Sequence, residues 1–180
     1  MYSRILTKLI SESITPFFGF LFLKIVITIL TAKSLGLDIN LYNMFSISVS
    51  KENYLVINSN VLFGFIIFSF LGLTYSLIKS IYFHDSHINP RLSLSVFNLR
   101  VGFLIQDSFH LFSQNLIWLF FNYVSLFISI FLYSLGLLQL FLLIVSVIFC
   151  LIGTYFFILD IEYEFSKRLD DSEDEEVFVS

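Results

Sequence analysis

Charge, cysteine and alanine are scarce in this chain of 180 residues, and each scarcity excludes something. Charged residues make up 13%, where a soluble domain carries roughly 25%, so the chain cannot offer water enough polar surface. The single cysteine, Cys150, lies inside an apolar run, which rules out a disulfide framework and a cysteine-based metal site. No Asn-x-Ser/Thr sequon, Gly-rich phosphate loop or solenoid-type repeat occurs. There is one alanine, Ala32, against 24 phenylalanines, a bias from which no function follows.

What is present is apolar bulk: 57% hydrophobic residues and a mean hydropathy of +0.89. The net charge of −4 is mostly a property of one end, since seven of the 14 acidic residues fall between Glu164 and Glu176. The remainder is slightly basic, which argues against nucleic acid as a partner. These features predict an all-α integral membrane protein whose first partner is the lipid bilayer.

Four segments meet the requirement of about 20 apolar residues for a ~30 Å hydrocarbon core. They are residues 17–36, 61–80, 117–134 and 137–159. The last two share one run that must fold back near Tyr133–Gly136, so spans three and four are expected to form a tight antiparallel hairpin with Gly136 ending a helix. The first span is read as retained, because Lys24 interrupts it and no A-x-A cleavage pattern follows. Seven Lys and Arg residues fall on one side and two, Lys33 and Lys51, on the other. That asymmetry predicts both termini in the cytoplasm, and the cytoplasmic membrane as location if the source is bacterial. Trp118 is expected to anchor the cytoplasmic start of span three.

Outside the spans, residues 1–15 read as an interfacial amphipathic helix ending before Pro16, with Arg4, Lys8 and Glu12 on its polar side. Alternation in the outer loop 37–60 predicts a small β-hairpin. The segment 81–116 reads as cytoplasmic, with Leu92–Phe112 too charged to be a fifth span. Residues 164–180, with the run Asp170–Glu176, read as an acidic disordered tail.

Polar residues recur at helical steps along one face of each span. Span two reads Ser69, Gly72, Ser76 and Ser80, then His84 and His87. Span three reads Asn122, Ser125 and Ser129, and extends backward through Trp118 to Gln114, His110 and Asp107. Span four reads Gln139, Ser146, Cys150, Gly153 and Asp160. Polar rows of this kind usually face a bundle interior or a cavity.

All three histidines thereby fall near the cytoplasmic mouth, and three readings compete for them. In the first they are interfacial polar groups at emerging helix ends, while Ser and Gly allow close packing. In the second, His84, His87 and His110 with Asp107 or Asp85 ligate a divalent zinc, iron or manganese ion. In the third they form a proton relay or pH-sensitive gate. Lys24, seven residues into the expected first span, either snorkels to the interface or pairs with Asp160 or Asp107 inside the membrane.

The function expected from these features is that of a non-enzymatic membrane scaffold, assembly or accessory subunit, partnered by another membrane protein or by itself. One alternative is a membrane-bound metal-dependent enzyme using the His/Asp cluster. The other is an oligomeric transporter or channel component.

Overall fold

The computed structural model of the protein describes residues 2–37, 50–83 and 108–179. All secondary structure among them is helical: α1 (Tyr2–Ser34), α2 (Lys51–Phe83), α3 (Ser108–Ser134) and α4 (Leu140–Val179). Each helix contains a stretch long and apolar enough to cross a membrane, namely Leu9–Ser34, Lys51–Phe83, Phe109–Ser134 and Leu140–Ser166. Helix α2 packs against all three others, and α1 also meets α3.

Large apolar side chains cover the outside of the bundle, and polar residues share its interior with apolar ones. On α3, Phe127 is 72% exposed while Ser129, two residues on, is 0% exposed. Phe22 on α1, Leu71 on α2 and Leu151 on α4 also face outward, while Ser69, Ser76, Asn122 and Ser146 are buried. Phenylalanine and leucine facing out gain nothing in water, whereas facing hydrocarbon they cost nothing. Backbone groups in such a bundle are satisfied within each helix, as a membrane interior demands.

Core chemistry changes along the bundle. At the end where α1 and α3 finish, the core is uncharged and mostly apolar, with one hydrogen bond across helices, from Asn60 Nδ2 to Thr31 Oγ1 at 3.3 Å. Leu62 and Ile66 of α2 meet Leu138 and Leu142, and Ala32 of α1 packs with Ile57 and Val61. Midway, Phe20 of α1 is ringed by Phe65, Phe68 and Phe121, with centroids 5.0–5.1 Å away. Close approach there depends on Gly72, where an added Cβ would run into the Trp118 indole. At the opposite end the core becomes polar.

Helices α1 and α3 end in the same way. Gly136 has φ 66°, its N–H donates to the Tyr133 carbonyl at 2.9 Å, and the Leu137 N–H donates to the Leu132 carbonyl at 2.9 Å. Gly36, with φ 68°, repeats this through Lys33 and Ala32. A left-handed residue after the last turn lets the chain reverse while capping carbonyls that the helix leaves open, and glycine has no Cβ to oppose it. Residues 135–139 then lead into α4.

Several expectations change. The interfacial helix over 1–15 does not end before Pro16: α1 is continuous, with Pro16 buried inside it. Proline only removes the bond that its N–H would give to the Glu12 carbonyl, a loss that membrane helices tolerate. The expected strand over 54–60 is helical, because α2 begins at Lys51. Its apolar residues suit either period, and continuation of a long helix wins over a marginal hairpin. The other half of that hairpin lies outside the described residues.

Span three likewise starts earlier. Residues 108–116 belong to α3 and 81–83 to α2, so both helices run past the expected spans, as their polar rows implied. Trp118 packs within the bundle, edge-on to Phe68 at 5.5 Å and against Gly72. The backbone of α4 is helical to Val179, through the segment expected to be a disordered tail. Extending an existing helix avoids the nucleation cost that an isolated acidic run would meet.

Candidate functional site

The polar end of the core joins all four helices. Glu12 of α1, one turn before Pro16, points toward α3. Its Oε1 lies 2.6 Å from His110 Nδ1, and its Oε2 accepts a hydrogen bond from Ser113 Oγ at 2.9 Å. On the other side of the imidazole, Gln114 Nε2 and His110 Nε2 are 3.1 Å apart. Lys79 of α2 is 7% exposed and within Coulombic reach of Glu12.

A second knot lies beside the first. Asp160 of α4 accepts from Ser80 Oγ at 3.1 Å and from Asn115 Nδ2 at 3.0 Å through the same oxygen, Oδ2. Asn115, 0% exposed, also accepts from Ser76 Oγ through Oδ1. Glu12, Lys79, His110 and Asp160 thus bring two carboxylates, one ammonium and one imidazole into one region. Opposite charges gathered this way offset the expense of an uncompensated charge in low dielectric.

Deeper in the bundle, the network continues without charge. Ser69 Oγ donates to Asn122 Oδ1 at 3.3 Å, Asn122 Nδ2 donates to the Phe149 carbonyl at 3.3 Å, and Cys150 Sγ lies 3.4 Å from the Asn122 carbonyl oxygen. Tyr123 and Thr154 bond hydroxyl to hydroxyl at 2.8 Å. The pairs Asn115–Asp160 and Asn122–Phe149 run in opposite directions along α3 and α4.

The inward rows expected on α2 are present: Ser69 and Ser76 are buried, and Gly72 and Ser80 half-buried. So are those of Asn122, Ser125 and Ser129 on α3 and of Ser146, Cys150 and Gly153 on α4. Gln139 departs from its row, being exposed and ahead of α4.

Of the expected metal set, His110 is the one described residue; His84, Asp85, His87 and Asp107 lie outside the described residues. Among the described residues, no three His, Cys, Asp or Glu side chains are grouped so as to hold a metal ion. Lys24 and Asp160 are not brought together. Asp160 faces inward to Ser80 and Asn115, whereas Lys24 is exposed on the outer side of α1.

The lengthening of α1 also moves Lys24. It lies fifteen residues after Leu9 and ten before Ser34, about 22 Å and 15 Å along the helix. It therefore lies near the middle of the apolar stretch Leu9–Ser34, which is longer than the ~20 residues a crossing needs. Its stem leans toward the helix N-terminus, about 22 Å of helix from Leu9, so snorkelling to that end of the stretch is a long route. A lysine at the centre of a bilayer costs about 2.5–3.5 kcal/mol on insertion scales.

Glu12, Lys79, Ser113 and Asn115 were missed as members of the core. Glu12 leads to Pro16 and Phe20 at steps of four, a row that turns out to be inward, so its signal was legible once Pro16 is allowed within a helix. Asn115 lies seven residues before Asn122 and announced itself in the same way. Lys79 follows Ser76 by three residues, on the same inward face. Comparison with protein-family models, curated proteins and solved structures returned no match.

Proposed function

We propose that the chain is a non-enzymatic membrane subunit, a scaffold or accessory protein whose polar core fixes the arrangement of its own four helices. The observation that carries this reading is the way the core's polar groups spend their hydrogen bonds on one another. Glu12 binds His110 and Ser113, and Asp160 binds Ser80 and Asn115. Groups so engaged hold helices in register, which is the best-supported use of polar residues inside a bundle. In this proposal α3 and α4 insert as a hairpin around Gly136, and both termini face the cytoplasm with the charged end of the core.

The test is purification from native membranes in a mild detergent, followed by mass and elemental analysis. The expected result is a metal-free chain bound at fixed stoichiometry to a different membrane protein. Stoichiometric metal lost on His110→Ala would replace this reading with a metal enzyme. A homo-oligomer that moves ions or protons across proteoliposomes would replace it with a transporter.

A further inference from the structure

The outer face of α1 carries an arrangement that the bundle itself does not use. Ile10, Ile14, Phe17 and Leu21 are exposed and follow one another at steps of four, three and four, and the next step of three lands on Lys24. This is the spacing of a seam that packs one helix along another at a shallow crossing angle. Exposed Leu116, Phe120, Tyr123, Phe127 and Ile130 repeat it on α3, so the charge is what sets the α1 row apart. Lipid alone would accept the four apolar residues of α1. It would not favour Lys24.

Lys24 is exposed near the middle of the span, and among the described residues no carboxylate pairs with it. A second copy of the chain is a poor occupant. A two-fold contact along this seam would place Lys24 opposite Lys24 and repel. The acids closest to mid-bundle, Glu12 and Asp160, point inward to Ser113 and to Ser80 and Asn115.

From the exposed heptad row and its mid-membrane cation, we propose that this face of α1 docks a transmembrane helix of a different protein that carries an aspartate or glutamate opposite Lys24. The apolar residues supply packing along about three turns, and the ion pair sets depth and register. In a low-dielectric surrounding, each charge removes the other's main objection to being there. The inference rests on the accessory reading above and names its partner's chemistry.

A photo-reactive phenylalanine analogue placed at Phe17 or Leu21 tests it in native membranes, with Phe127 on α3 and Phe141 on α4 as comparison sites. The expected adducts form from positions 17 and 21, not from 127 or 141. Their mass spectra map to a partner's membrane helix with a carboxylate within a turn of the contact. Lys24→Met lowers adduct yield about tenfold or more, and Lys24→Asp combined with a lysine at the partner's carboxylate restores it.

Adducts to a second copy, to residues 38–49 of the same chain, or to a helix lacking a carboxylate would overturn the proposal. So would an unchanged yield in Lys24→Met. A partner captured from positions 127 or 141 alone would overturn this seam while leaving the accessory reading in place. Lack of any stable partner, together with activity of the isolated chain, would remove the accessory reading itself.

Discussion

Replacing Asn115 with alanine removes two interhelical hydrogen bonds from a site with no access to solvent. One comes from Ser76 on α2, and the other, at 3.0 Å, goes to the Asp160 carboxylate on α4. Interhelical hydrogen bonds in membrane proteins average about 0.6 kcal/mol, with a maximum near 1.7. A bond to a charged acceptor is about twice as strong as a neutral one. One neutral bond near 0.6 and one charge-assisted bond near 1.2 kcal/mol give a loss of about 2 kcal/mol, before any cavity cost. The assay is reversible unfolding in mixed micelles titrated with dodecyl sulfate. Trp118, the only tryptophan, serves as the reporter because it sits against Gly72 and Phe68. Gln139→Ala, at an exposed position, should leave the midpoint unchanged. An Asn115→Ala variant within about 0.5 kcal/mol of wild type would refute the view that this network ties α2, α3 and α4 together.

Three further outcomes follow from the same geometry. Ser76 and Ser146 are each 1% exposed, but Ser76 also bonds across to Asn115, whereas Ser146 bonds to its own helix at the Leu143 carbonyl. Ser76→Ala should therefore cost about 1 kcal/mol in the unfolding assay and Ser146→Ala close to nothing, and equal costs would count against the distinction. Gly72→Val should cost about 1–3 kcal/mol by overpacking and shift Trp118 emission, because its Cβ meets the indole directly. Glu12→Ala should cost about 1–3 kcal/mol, since it removes the carboxylate nearest to buried Lys79 and half-buried His110. Lys79→Met in that background should recover part of the loss, as replacing a buried charge set with apolar groups often does.

The four helices were legible because bilayer thickness imposes a length and backbone satisfaction imposes helix. The inward rows of Ser69 and Ser76, or Asn122 and Ser129, were legible because in hydrocarbon the polar residues are the ones that must hide. Helix ends were less so. Apolarity falls off at the interface while the helix continues, so α1 starts before Pro16, α2 at Lys51 and α3 at Ser108. Longer helices also change where side chains fall along them: Trp118 lies ten residues into α3, and Lys24 near the middle of the apolar stretch Leu9–Ser34. Glu12 remained hidden because it lies close to Lys79 and His110 only across helices, and sequence spacing reports faces along one helix, not which faces meet. For Gly136 the signal was local, a single glycine after an apolar run, and the positive φ follows from it.

The central claim is four membrane crossings with the charged core at one end, and cysteine labelling in sealed native membrane vesicles tests it most directly. In a Cys150→Ser background, single cysteines at Gly36, Ser50 and Gly136 should react with an impermeant maleimide from one side of the membrane. Cysteines at Phe83 and Ser166 should react only from the other. Labelling of both groups from the same side, or of Gly36 and Gly136 from opposite sides, would contradict the account.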